Sequence, residues 1–242
     1  MTLRRDPVYL VTCEHGGHDV PPDLRPLFAG AGALLASHRG WDAGALDLAR
    51  RLSEALGAPL RSSTTTRLVV DLNRAAHNPA VFSERTRTLP LPGRAALLAT
   101  HHAPYRAAVD ADVRAAVERG VVVHLAIHSF TPVLDGVART AELALLYDPR
   151  RDRERVLAAA WAAGLGRALP ELRVRRNYPY RGRSDGLTTW LRGRHAPERY
   201  LGLEVEVSQA LLDARGHVPE RVAAALVATL RRAGGAGAAV SA

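Results

Sequence analysis

The chain has 242 residues, 47% hydrophobic and 24% charged, which suits a globular domain with a buried core. No apolar run nears the roughly 20 residues of a membrane helix, the stretch after Arg4 and Arg5 is too short and strand-like for a secretory signal, and the cytoplasm is the expected compartment. The single Cys13 excludes an intrachain disulfide and a multi-cysteine metal cluster, and the net charge of +9, with arginine as every one of the 33 basic residues, is spread along the chain rather than gathered with aromatics as nucleic-acid binding requires.

Residues 7–13 (PVYLVTC) read as a strand that runs into Glu14-His15-Gly16-Gly17-His18. Residues 41–56 carry apolar side chains at helical spacing, with Asp42 in the first turn. Residues 67–74 (RLVVDLNR) read as a strand and then a loop, and residues 94–119 as two helices broken at Pro104. Residues 121–128 (VVVHLAIH) are a nearly continuous β-branched run, as in a central strand covered on both faces. Residues 142–148 read as a strand, 151–169 as a helix, 199–208 as a strand and 220–233 as a helix, followed by a flexible Gly/Ala tail at about 234–242. The longest irregular stretches are 76–93 and 176–197. The alternation predicts one α/β catalytic domain over residues 1–242, with a mainly parallel sheet and helices on both faces.

Ligands of open α/β sheets bind beyond the carboxyl ends of the strands. Three predicted strands end in suitable residues: Glu14-His15-Gly16-Gly17, His128-Ser129, and Glu204 with Glu206, two apart and so on one face. Two histidines and a carboxylate from separate elements are the usual ligands of a catalytic zinc, and a further carboxylate can serve as general base. Adjacent glycines let backbone or substrate approach closely. Each residue also has a plainer reading: a hydrogen-bonded histidine at a strand end, a helix-capping Asp42, and solvent-facing glutamates on an edge strand.

Six segments, CEHGGHDVP, HRGWDAGALDLARRL, RLVVDLNR, AIHSFTP, NYPYRGRSDGLT and LEVEVSQ, in this order over about residues 7–209, resemble the N-formylglutamate amidohydrolase family of the zinc carboxypeptidase-like group. The resemblance implies a three-layer sandwich with a mixed, mainly parallel twisted sheet, and one zinc per chain held by His15, Asp42 and His128. Manganese, cobalt or iron would also suit such ligands. It implies Glu206, rather than Glu204, as general base. The implied substrate is a small anionic N-acyl amino acid such as N-formylglutamate, cleaved to formate and glutamate as in histidine catabolism. Arginine suits bidentate carboxylate recognition, which points to Arg74 and Arg181 as a clamp, with Asn73, Arg67, Arg183 and Tyr180 beside them. Glu14, beside His15 but on the opposite face, is expected to be structural or to support the ligands, and His101-His102 to line the entrance. Two other readings stay open: a cell-wall amidase on the same scaffold, and a basic nucleic-acid-binding protein.

Overall fold

A computed structural model describes residues 7–237. In chain order its strands are β1 (Val8–Cys13), β2 (Leu60–Ser62), β3 (Val122–Phe130), β4 (Val133–Leu134), β5 (Val137–Ala138), β6 (Leu143–Leu146), β7 (Val174–Arg176) and β8 (Tyr200–Ser208). The helices are α1 (Gly32–Ala36), α2 (Ala45–Leu56), α3 (Leu91–Leu97), α4 (Ala103–Val117), α5 (Asp152–Ala168), α6 (Leu187–Arg192) and α7 (Glu220–Gly237). Six strands form one sheet in the order β2-β1-β3-β8-β6-β7, and β4 pairs with β5 in a separate hairpin. β2, β1, β3 and β8 run parallel, while β6 is antiparallel to β8 and carries β7 parallel to itself. The mixed, mainly parallel sheet with helices on both faces is therefore the architecture expected.

The two faces of the central strands differ. On one, Val11, Leu125, Ile127, Val205 and Val207 pack against α2, α5 and α7 in the main core, with Trp161 fully buried. On the other, Leu10, Val122 and Tyr200 pack against α4 and α6. Strand periodicity then places Thr12 and Glu14, His124 and His128, and Glu204 and Glu206 on this second face, toward the carboxyl ends. All six are buried. Buried polar groups require partners, so this stripe is the fold's costly feature and the place to look for function.

Several expectations need correction. Residues 67–74 form turns, not a strand: Val69 N–H donates to Thr66 O and Asp71 N–H to Val81 O. Their apolar side chains instead make a small separate core with Phe28, Val81 and Leu97. Helical backbone runs unbroken from α3 through a π-helical turn at Leu98–His102 into α4, and Pro104 follows that wider turn rather than breaking the helix. Asp42 precedes α2, whose N-cap is Gly44, and its side chain caps nothing there. The last helix continues to Gly237, past the expected end at 233, and 238–242 lie outside the described residues. The 176–197 stretch contains α6.

Deep in the polar stripe, His124 lies between the Tyr200 hydroxyl (Nδ1, 2.7 Å) and the Thr12 hydroxyl (Nε2, 2.9 Å). Thr12 also helps to hold down the pKa of the neighbouring Glu14 carboxylate. A ring held between two hydroxyls, each able to donate or to accept, is satisfied as the neutral imidazole. Burial holds its pKa down at about 4. Below the unfolded value of about 6.5 the unfolded chain binds a proton that the folded chain refuses, so stability present above that pH is lost as pH falls toward 4. Between pH 7 and 5 the wild type should lose about 2 kcal/mol more than His124→Gln, read from urea midpoints. Equal slopes would contradict a neutral, buried His124.

Candidate metal centre

β1 and β3 are parallel neighbours, so their carboxyl ends bring His15 and His128 together. The rings stand 5.3 Å apart between centroids. Asp42 reaches the same point because its N–H donates to the His15 carbonyl at 2.9 Å. Of the two uses expected of Gly16 and Gly17, close approach of backbone is the one the structure shows. A Cβ on Gly17 would lie 2.7 Å from the Thr64 carbonyl oxygen, and Gly16 N–H donates to Ser63 O at 2.9 Å. The glycines admit the 63–64 backbone, which closes the turn behind His15, rather than clearing room for a ligand.

One ligand atom from each of His15, Asp42 and His128 lies within 4.8 Å of the others, and all three residues are buried. Asp42 Oδ2 is 3.4 Å from His15 Nδ1 and 2.9 Å from His128 Nδ1. Of the far nitrogens, His15 Nε2 is engaged at 2.8 Å from Asp71 Oδ1, while His128 Nε2 faces Glu14 Oε2 at 3.2 Å, an ion-pair contact without hydrogen-bond geometry. Outer carboxylates of this kind fix which nitrogen a histidine offers to a metal. Both imidazoles thus present Nδ1 to a common point with a carboxylate oxygen. This donor set fits a borderline divalent ion with room for water. Glu14 is the support it was expected to be; it also accepts from the Tyr105 hydroxyl at 3.1 Å.

Electrostatics bind the cluster together. Burial pushes Asp42 up, but the charges and hydrogen bonds of His15 and His128 pull it well below the usual carboxylate range. Burial likewise raises Glu14, and His128 and Thr12 more than offset it, leaving about 2. Burial and the Arg67 charge push His15 down, and Asp71 and Asp42 override them upward. Arg67 binds Asp71 Oδ2 at 2.6 Å and lies 3.5 Å from Asp42 Oδ1. Asp71 was missed in the sequence; an acidic residue closing a run of buried apolar ones was the available signal.

A cavity of about 260 Å³ opens on the cluster. Glu206 stands opposite His128 in the β3–β8 register and lines it, and its Oε2 is buried without a hydrogen-bond partner. Burial is the chief cause that pushes its pKa up to about 8. Glu204 also lines the cavity, but its Oε1 accepts from the Thr188 hydroxyl at 2.7 Å. Of the residues expected to meet substrate, Arg67, Asn73, Arg74, Tyr180 and Arg181 line the wall. Arg183 does not: it is exposed, past Gly182, whose Cα packs on the Tyr147 backbone so closely that a Cβ would lie 2.1 Å from Tyr147 N. His38 and Arg139 line the cavity and were not foreseen as site residues.

The wall is held from behind. Arg106 on α4 donates from Nε to Leu72 O (3.1 Å) and from NH2 to Arg74 O (2.8 Å), and His102 Nε2 also reaches Arg74 O at 2.8 Å. His102 is buried in this role rather than lining the entrance, and the π-helical turn is what carries it there. Asp185 accepts from Ala75 N at 3.0 Å and from Asn78 Nδ2 at 2.5 Å, tying the 181–186 loop to the 73–78 segment. Asn73 Oδ1 accepts from Leu187 N at 2.6 Å, so its amide nitrogen is the part left for the cavity.

A mostly parallel, helix-covered sheet with two histidines, a buried carboxylate and an unpartnered glutamate at the ends of its central strands is an α/β arrangement able to hold a metal ion. The model of the N-formylglutamate amidohydrolase family matches residues 8–212, and the chain belongs to that family. Among solved structures, the gene product Atu2144 from Agrobacterium tumefaciens is 32% identical with a TM-score of 0.77, covering 96% of this chain and 91% of that one. An N-formylglutamate amidohydrolase from Ralstonia eutropha JMP134 is 20% identical with a TM-score of 0.62, covering 98% and 95%, a likeness of fold. No curated protein matches the sequence. Among the described residues no helix is long and apolar enough to cross a membrane.

Arg106 makes its bonds to two backbone carbonyls as a buried cation, and each such bond contributes roughly 1.5–3 kcal/mol. Arg106→Gln should therefore lower stability by about 2–3 kcal/mol in urea unfolding, with faster amide exchange at residues 72–75. A loss under about 0.5 kcal/mol would show that those carbonyls do not depend on it.

Proposed function

We propose that this chain is a metal-dependent amidohydrolase that cleaves the N-acyl amide of an acidic amino acid, with N-formylglutamate as the model substrate. The observation that carries this reading is the pairing of the His15, Asp42 and His128 donor set with the unpartnered Glu206 carboxylate in one cavity. Membership of the family supports the reaction class. His15 and His128 through Nδ1, and Asp42 through Oδ2, would hold the ion, with zinc the first choice for these ligands. When bound, such an ion supplies Lewis acidity for the attacking water and for the amide carbonyl.

The protein's own groups perform the rest. Glu206 takes a proton from the water that attacks the acyl carbon. Burial alone raises its proton affinity so that it holds a proton at neutral pH; beside a bound cation that affinity falls, and the carboxylate is free to accept the water's proton and then to deliver it to the leaving nitrogen as the C–N bond breaks. The products are formate and the free amino acid. Arg74 and Arg181, which line the cavity without a carboxylate partner among the described residues, grip the substrate carboxylate, and the Asn73 amide donates beside them. Arg67 is committed to Asp71 and Asp42, so its part is to hold the cluster. Glu204, engaged by Thr188, positions the wall next to Glu206.

Glu206→Gln keeps the shape of the side chain and removes its basicity. It should lower kcat on N-formylglutamate by roughly 10²–10⁴-fold while metal content and folding stay at wild-type levels. Formate release assayed alongside elemental analysis checks this. Near-wild-type turnover in the variant would remove Glu206 from the reaction, and no turnover by the metal-loaded wild type on any N-acyl amino acid would remove the reading itself.

A further inference from the structure

Among the arginines lining the cavity, Arg139 alone has a guanidinium within cation–π reach of two aromatic rings. It lies 5.6 Å from the Phe130 ring centroid and 5.1 Å from that of Tyr180. Its NH2 donates to the Tyr180 hydroxyl at 3.1 Å and its NH1 to the Thr131 carbonyl at 3.4 Å. A guanidinium has five N–H donors, so three are left, and no carboxylate among the described residues takes them. Of the other acidic groups on the wall, Asp185 is occupied by Ala75 and Asn78, Glu204 by Thr188 and Asp42 by the two histidines, and the unpartnered Glu206 makes no ion pair with Arg139. An oriented, half-buried arginine with free donors facing a cavity is a carboxylate receptor whose ordering cost is already met by its rings.

Its position says which carboxylate. Arg74 and Asn73 enter the cavity from the 71–78 segment, whereas Arg139 enters from the end of the β4–β5 hairpin, beside Tyr180, which is 46% exposed; the exposed Arg181 adjoins Tyr180 but lacks the ring contacts that orient Arg139. Arg139 thus stands at the rim. The α-carboxylate of an N-acyl amino acid is attached one carbon from the scissile nitrogen and must lie deep; a side-chain carboxylate lies farther out. We propose that Arg139 is the specificity-determining residue that reads the side-chain carboxylate, so that the enzyme prefers N-acyl dicarboxylic amino acids over their neutral isosteres. This rests on the amidohydrolase reading and adds a separate binding claim to it.

The test compares wild type, Arg139→Gln and Arg139→Lys on N-formylglutamate and N-formylglutamine. The wild-type preference for the acid, as a ratio of kcat/KM, should fall roughly 100-fold in Arg139→Gln, chiefly through KM, with Arg139→Lys between because an ammonium cannot form the fork. An unchanged ratio, with activity either retained or lost equally on both substrates, would overturn the assignment. The same three proteins are heated with glutarate or butyrate, which reads carboxylate recognition without turnover. Stabilisation by glutarate beyond butyrate in the wild type and its loss in Arg139→Gln supports the receptor even if neither formyl substrate is cleaved, a result that would defeat only the hydrolytic reading. Equal stabilisation by the two acids in wild type and variant overturns the receptor.

Discussion

Asp42 Oδ2 sits between the Nδ1 atoms of His15 and His128, and much of the molecule serves to keep those three atoms converged. Gathering charge in a buried place is costly, of the order of several kcal/mol per ion, unless each group is paired. Here pairing extends outward in shells. Asp71 holds the far nitrogen of His15, Glu14 faces that of His128, Arg67 holds Asp71, and Tyr105 donates to Glu14. The outer groups also decide the chemistry, because an imidazole fixed through Nε2 can offer only Nδ1 inward.

That convergence follows from topology. β1, β3 and β8 are consecutive parallel strands in the sheet, so three chain segments far apart in sequence end at one edge, and His128 and Glu206 share a register position. Strand alternation then gives one face to an apolar core and the other to the polar stripe. The apolar face supplies the stability that a buried polar stripe consumes. The second constraint comes from loops held by side chains rather than by strands: Arg106 and His102 on the Arg74 carbonyl, Asp185 on the 75–78 segment, and Arg192 on the Gly182 and Gly202 carbonyls, with Glu154 as its buried counter-ion. They fix the cavity wall on which the substrate arginines stand.

The cluster was legible in part because its histidines interrupt apolar runs, His15 after residues 7–13 and His128 at the end of 121–128, although His124 in the same run is a hydrogen-bonded core residue that the pattern alone does not tell apart. The family resemblance then singled out Asp42 and Glu206. The outer support was less legible. Asp71 hides in a β-branched run that reads as a strand, since propensity cannot show that the backbone will bond locally into turns and bury its side chains in a small core of its own. β2 and β7 are three-residue strands rich in arginine and serine, too short to show alternation, and the antiparallel direction of β6 is set by tertiary packing alone. Arg139 is one of many arginines, and only its neighbours Phe130 and Tyr180, the latter some forty residues away in sequence, set it apart.

The central claim is that His15, Asp42 and His128 form a metal centre. Elemental analysis of the purified protein, wild type beside His128→Ala, tests it most directly. The account predicts about one divalent ion per wild-type chain, retained through dialysis, and its loss in a variant that keeps its fold, since one of three ligands is gone. No stoichiometric metal in the wild type after zinc, manganese and cobalt have each been supplied would contradict it, and would leave the cluster as a buried ion-pair network.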